Sequence, residues 1–297
     1  MATAQFTSLL ENSTLARVER MRLTPLRRLT NRSRGEHLAG KGGTSTEFND
    51  YRDYVAGDDM RYVDWNIFSR LNRPYLKLYR HEEEMHVVVL LDASSSMLFG
   101  SKFERARQLA ASFSIMGLMN LERVSIFSCN QQGRALQMLP PTTGRPSLRR
   151  VLEFLERLEP GGDFPIDLAV SEVLKQHRGR GIAILLSDFL TFGALDRPFN
   201  HLFSAGLETF AVQILAPEEL HPDLNGDLRF VDSETSQTLD ITSAGELLGL
   251  YHQHLTDLQE YLAQVCRQRN GRCLTIDSST PIDTVLFDTL RRRGWVS

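Results

Sequence analysis

The sequence predicts an α/β protein: a doubly wound, mostly parallel six-stranded sheet with a small N-terminal β-rich subdomain. Three observations predict it. The runs HVVVLLD (86–92), GIAILLS (181–187) and ETFAVQIL (208–215) are apolar and β-branched without in–out alternation, as in strands covered on both faces. Amphipathic helical stretches alternate with these runs. The 297 residues are 41% hydrophobic and 24% charged, a composition that supports a sizeable core and excludes wholesale disorder.

Residues 1–34 read as one or two helices, with Leu9, Leu10, Leu15, Val18 and Met21 at helical spacing. Arg17, Arg20, Arg22, Arg27, Arg28, Arg32 and Arg34 crowd this stretch against only Glu11 and Glu19. The segment is either a solvated helix face or a docking patch for an acidic partner. In residues 35–46, GEHLAGKGGTST, the spacing from Gly35 to Lys41 imitates a phosphate-binding loop. Gly42 stands where Ser or Thr would bind magnesium, and polar NRSR precedes it in place of a buried strand. This is a connection, not a nucleotide site.

Residues 35–84 form the predicted β-rich subdomain. Gly57-Asp58-Asp59 is a turn, and short strands are expected around 61–68 and 74–81. Arg61 is expected to pair with Asp64, and Trp65 to pack against the sheet.

Residues 85–297 form the main domain. After the strand at 86–92, Ser101 and Glu104 suggest a capping box, and Phe103, Ala106, Ala110, Phe113 and Gly117 supply a buried stripe. A strand at 123–128 is followed by an antiparallel one at 134–139, then helices at 146–158 and 164–177. The strand at 181–187, a helix at 192–205 and the strand at 208–215 come next. A hairpin insertion near 228–242, a helix at 244–269, a strand at 273–276 and a helix at 281–293 complete the chain. The expected strand order is 3-2-1-4-5-6, with the first strand central. Ligands in such sheets bind at the carboxyl ends of the strands, where the winding reverses. That crevice lies between the strands ending at Asp92 and at Asp188.

Lys plus Arg is 34 and Asp plus Glu is 37, a net −3, so there is no global basic field to hold nucleic acid. The three cysteines, Cys129, Cys266 and Cys273, show neither metal nor disulfide-framework spacing, which favours a reducing, cytoplasmic setting. No run of 18 apolar residues and no secretory-type leader occurs, so no membrane span is expected. His252 and His254, two apart on a helix, share no face.

The chemistry concentrates in Leu91-Asp92-Ala93-Ser94-Ser95-Ser96-Met97. Asp92, Ser94 and Ser96 alternate in a loop leaving a buried strand, which sets three oxygen-bearing side chains on one side of a turn. Asp188, in Leu186-Ser187-Asp188-Phe189, adds a carboxylate from the neighbouring strand. Such an all-oxygen set suits a hard divalent cation, Mg²⁺ or alternatively Mn²⁺ or Ca²⁺. Asp163, in Gly161-Gly162-Asp163, is either a further carboxylate beside the metal or a helix N-cap. The rival reading is a Mg²⁺-dependent phosphohydrolase with Asp92 as nucleophile. It would want a second acid two residues on, where Ser94 stands.

Asp92-x-Ser94-x-Ser96 resembles the metal-ion-dependent adhesion site of von Willebrand factor A domains. Upstream, Glu47-Phe48, Arg52-Asp53-Tyr54, Gly57-Asp58-Asp59, Arg61, Asp64-Trp65, Ser69-Arg70 and the Glu82–Glu84 run resemble the bacterial domain-of-unknown-function-58 family. The resemblance covers roughly 35–297 and includes the closing Leu290-Arg291-Arg292-Arg293-Gly294. In the adhesion site a Thr usually follows the two glycines; here Asp163 takes its place. The resemblance implies a non-enzymatic interaction module whose metal captures a partner's Asp or Glu carboxylate. It also implies a companion MoxR-type AAA+ ATPase, with client proteins that the pair assembles.

Overall fold

The computed structural model describes residues 5–26, 48–79, 85–129, 136–163, 166–177, 179–190, 194–222, 228–231, 238–241 and 244–297. The arginines at 27–34, the glycine-rich connection and the Glu82–Glu84 run fall outside the described residues. The chain divides into two compact units, residues 1–26 with 84–297, and residues 27–83.

Helix α1 (Asn12–Val18) belongs to the larger unit. The smaller unit contains β1 (Phe48–Asp53), a 3-10 turn at Met60–Tyr62, α2 (Trp65–Leu71) and β2 (Tyr75–Tyr79), with β1 and β2 antiparallel. The strand expected at 61–68 is therefore largely helix. Asp64 decides this locally: its Oδ1 accepts the N–H groups of Asn66 (2.9 Å) and Ile67 (3.2 Å), donors that a helix start leaves without partners. Trp65 and Phe68, three apart, meet edge to face at 5.9 Å, as helical spacing allows. Left-handed Asn72 (φ 49°) ends the helix.

Arg61 does not pair with Asp64. It binds Asp59 at 2.6 Å in an exposed pair, while Asp64 takes Lys77 at 3.0 Å and the Tyr51 hydroxyl at 3.2 Å. The Lys77 contact, ahead of the helix N–H groups, holds the Asp64 carboxyl below its ordinary range. Trp65 is 55% exposed and not packed away as expected. Asp64→Ala should lower the melting temperature of this unit, and Arg61→Ala should leave it within error, as measured by thermal unfolding of the full chain.

The larger unit continues with β3 (His86–Asp92), α3 (Lys102–Met119), β4 (Arg123–Cys129) and β5 (Gln137–Thr142). Then come α4 (Leu148–Glu156), α5 (Ile166–Gln176), β6 (Gly181–Ser187), α6 (Asp196–Ser204), β7 (Leu207–Leu215) and α7 (Pro217–Leu220). The hairpin β8 (Leu228–Val231) and β9 (Thr238–Ile241) precedes α8 (Ala244–Gln268), β10 (Arg272–Asp277) and α9 (Ile282–Thr284), which runs on as a π-type turn to Leu290. The six-stranded sheet has the order β10-β7-β6-β3-β4-β5, parallel except for β5 against β4. Counted along this sheet, that is the order 3-2-1-4-5-6.

The fully buried strands β3, β6 and β7 explain the absence of alternation in their sequences. On one face Val88, Leu90, Ala183, Leu185 and Ala211 pack with α5, α6 and α8 through Val170, Phe199 and Leu262. On the other, α3 lies so close that a Cβ on Gly117 would stand 2.7 Å from Val124 Cγ2 and 3.3 Å from Val87 Cγ2. Only glycine permits that approach. The Ser101–Glu104 capping box does not form. Ser101 Oγ instead donates to the Ser278 carbonyl at 3.1 Å, and Glu104 binds Arg107.

At the amino end of the sheet, three buried side chains form a relay. His177 Nε2–H donates to the Gly179 carbonyl (2.8 Å), which leaves His177 Nδ1 to accept from His86 Nδ1–H (2.9 Å). His86 Nε2 then accepts the Ser125 hydroxyl (2.8 Å). In this arrangement the His86 ring is neutral. Burial, then His177 and Arg123, pushes His86 down from 6.5 to about 4. Between those values the folded state binds fewer protons than the unfolded one, so stability rises with pH through the window and is complete above 6.5. Acidification across the window should remove up to about 3 kcal/mol. Asp92, whose carboxyl is raised, contributes the opposite slope over the same range, so the check is the difference in urea-unfolding stability between the parent and His86→Gln, which should shrink as the pH falls from 7 to 4.5.

Candidate metal centre

The parallel register of β3 and β6, with Leu91 opposite Leu186, brings the two strand ends together. After Asp92 the chain turns sharply. The Ser94 N–H donates to Asp92 Oδ1 at 2.8 Å, an Asx-type turn, and a 3-10 turn follows at Ser95–Leu98, anchored by fully buried Met97. The Ser94 and Ser96 hydroxyl oxygens converge to 3.0 Å. From β6, Ser187 Oγ–H donates to Asp92 Oδ2 at 2.5 Å. Asp188 follows, 3% exposed, and Phe189 in left-handed φ (55°) makes the turn that ends the strand. Asp188 Oδ1 accepts the Leu190 N–H (3.1 Å), and its backbone carbonyl accepts Gln213 Nε2 (3.0 Å).

Asp163 sits in a loop laced to this turn. Gly161 N–H donates to the Ala93 carbonyl and Ser95 N–H to the Gly162 carbonyl, both at 2.7 Å. The lacing needs Gly161 (φ 148°) and Gly162 (φ 78°) in conformations that side chains avoid. Asp163 itself is half-buried. Among the described residues, no group of three or more His, Cys, Asp or Glu side chains is arranged to hold an ion, so Asp92, Asp163 and Asp188 do not form a three-carboxylate set. Residues 164–165, where an Asp163 cap would act, lie outside the described residues. His252 and His254 are exposed on α8.

Burial, and then the nearby Asp188, push Asp92 up to about 7 despite its hydrogen bonds from Ser187 and Ser94. Two buried carboxylates and two converging hydroxyls are hard oxygen donors. This set fits a Mg²⁺-class ion, which Ser94, Ser96, Asp92 and Asp188 would hold, with water completing the sphere.

One residue escaped the sequence reading. Lys102, at the start of α3, is fully buried, and its Nζ donates to Asp188 Oδ2 (2.8 Å) and Glu219 Oε1 (2.6 Å). Glu219 gives its other oxygen to the Ala216 N–H (2.7 Å), and Tyr251 donates to the Glu219 carbonyl (2.7 Å). Burial raises the Glu219 carboxyl and Lys102 opposes that rise. The signal was present in the sequence: Lys102 shares a helix face with Ala106, Leu109 and Phe113, in line with the buried stripe. Removing one partner of a buried ion network strands the others. Lys102→Ala should therefore cost about 3–5 kcal/mol, read by chemical denaturation without added metal.

A sheet in this order, with one antiparallel edge strand and an Asp-x-Ser-x-Ser turn at the carboxyl end of its central strand, defines a von Willebrand factor A-like domain. The chain belongs to the family described as protein of unknown function DUF58, which matches residues 50–257. Uncharacterized protein Rv1480 of Mycobacterium tuberculosis is 25% identical over 289 residues, covering 94% of this chain and 90% of the relative. Uncharacterized protein MAV169 of Mycobacterium avium is 28% identical over 162 residues, covering 52% and 95%. Among solved structures, BatB from Bacteroides thetaiotaomicron aligns with a TM-score of 0.45 at 15% identity, over 71% of this chain and 98% of that one. Proximal thread matrix protein 1 from the mussel byssus, with a zinc-occupied MIDAS motif, aligns at 0.42 and 16% identity, over 69% and 46%. No helix among the described residues is long and apolar enough to cross a membrane.

Proposed function

We propose that the chain is a non-enzymatic interaction module whose crevice binds a divalent cation and, through it, an acidic side chain of another protein. One observation carries the reading. Asp92, Ser94 and Ser96 on the central strand's turn, and Asp188 on the next strand, bring hard oxygen donors to the point where the winding reverses. A second observation favours a protein partner over a small ligand. Leu98 and Phe99, directly after the serine turn, are 58% and 50% exposed, and Leu190, two residues after Asp188, is 40% exposed. Apolar side chains exposed beside a polar crevice suit a protein contact.

The MoxR-type AAA+ ATPase implied by the family resemblance is the partner we propose, with its clients as further ligands. The arginine-rich 17–34 segment is a second docking face in this proposal. The phosphohydrolase reading gains a lysine from the structure, but Lys102 is taken by Asp188 and Glu219, and Ser94 stands where the general acid belongs.

Calorimetric titration with Mg²⁺ and Mn²⁺ should show one ion per chain, and Asp92→Ala or Ser96→Ala should abolish it. Titration with no binding at millimolar concentrations would contradict the proposal. Co-purification with the ATPase should weaken with EDTA and with Asp92→Ala, while the pure chain should show no ATP turnover.

A further inference from the structure

We propose that Lys102 is a positioning residue that sets the charge of the metal crevice: it holds Asp188 so that a site loaded with a dication carries no net negative charge and can still take a carboxylate ligand. This rests on the reading of the crevice as a metal site and names what makes that site choose an acidic partner.

A fully buried ammonium is costly unless it is paired and hydrogen-bonded. Glu219 alone would neutralise Lys102. The ammonium is instead shared, 2.6 Å from Glu219 Oε1 and 2.8 Å from Asp188 Oδ2, so the crevice carboxylate is drawn into the network. Asp188 Oδ1 is engaged by the Leu190 N–H, so both oxygens already have a donor. Glu219 turns its second oxygen to the Ala216 N–H, not to the crevice. Three elements fix the arrangement: α3 supplies the lysine, the end of β6 supplies Asp188, and α7 supplies Glu219.

The charge count gives the consequence. Lys102 sets one positive charge against Asp188 and Glu219, so that with Asp92 the cluster carries −2 and a bound dication brings it to neutrality. Without the lysine the loaded cluster would stand at −1 and repel a carboxylate from outside. The lysine therefore weakens the metal's hold while strengthening capture of a partner's Asp or Glu. These two effects have opposite signs, which a merely structural lysine would not produce.

The test uses the full chain and two probes, Mn²⁺ and sodium acetate. Mn²⁺ affinity is read by calorimetry, and acetate capture by the loaded protein is read from loss of Mn²⁺-induced water-proton relaxation. Lys102→Met should bind Mn²⁺ about tenfold tighter and capture acetate about tenfold more weakly, the scale on which a charge within contact distance acts on a carboxylate. Mn²⁺ should also raise its melting temperature more than that of the parent, because the ion replaces the missing positive charge. Glu219→Gln, which leaves Lys102 to Asp188 alone, should shift both affinities the other way, and it carries the test if Lys102→Met does not fold. A parent chain that takes up no Mn²⁺ overturns the metal reading and this inference with it. A parent that binds Mn²⁺, with variants whose two affinities are unchanged or move together, overturns this inference alone.

Discussion

Asp92 and Asp188 are buried side by side at the ends of adjacent parallel strands, and much of the surrounding structure serves to hold them there. Like charges in a low-dielectric setting repel, and each would rather be hydrated. The protein answers with donors. Asp92 receives the Ser94 N–H and the Ser187 hydroxyl, and Asp188 receives the Leu190 N–H and the Lys102 ammonium. The sharp turns after both strands follow from two of these bonds, because the Ser94 and Leu190 N–H donors lie two positions beyond the carboxylates they meet. Gln213 and Thr275 extend the support across β7 and β10, Gln213 donating to the Asp188 carbonyl and Thr275 to Gln213. Even so, Asp92 is held far above the ordinary carboxylate range. A crevice with that residual strain is suited to a cation.

The core makes such a site possible by keeping it rigid. β3 is flanked by β4 and β6 and covered on both faces, so its end cannot shift without disturbing the whole sheet. The site's residues lie at strand ends and in short turns pinned by backbone hydrogen bonds. The Gly161–Gly162 loop is laced to the serine turn by two of them. The exposed apolar side chains Leu98, Phe99 and Leu190 ride on these pinned turns, so a contact made there would be felt at the crevice.

Much of this was legible in the sequence. Unalternating β-branched runs marked the central strands, and the alternation of runs with helices gave the winding and hence the crevice. Alternation in the loop after 86–92 points to Asp92, Ser94 and Ser96, and the topology adds Asp188; the structure places the first three at one turn and the fourth just past the end of the adjoining strand. What was not legible depended on competition between local signals. Tyr62, Val63, Trp65, Ile67 and Phe68 have β propensity, yet Asp64 offers helix-start hydrogen bonds that outweigh it. Ser101 and Glu104 have capping-box spacing, but each finds a better partner in Ser278 and Arg107. Lys102 lies in line with the buried stripe of α3, yet a lysine near a helix start ordinarily reads as solvated. Its partners, Asp188 and Glu219, are 86 and 117 residues away in sequence, beyond any local pattern.

The proposed interaction role depends on a divalent ion sitting where Asp92, Ser94, Ser96 and Asp188 converge. Crystals soaked in Mn²⁺ and measured at the manganese absorption edge test it most directly. A single anomalous peak is expected within coordination distance of the Ser94 and Ser96 hydroxyl oxygens, and none in Asp92→Ala. A peak elsewhere on the chain, or none at millimolar Mn²⁺, would contradict it.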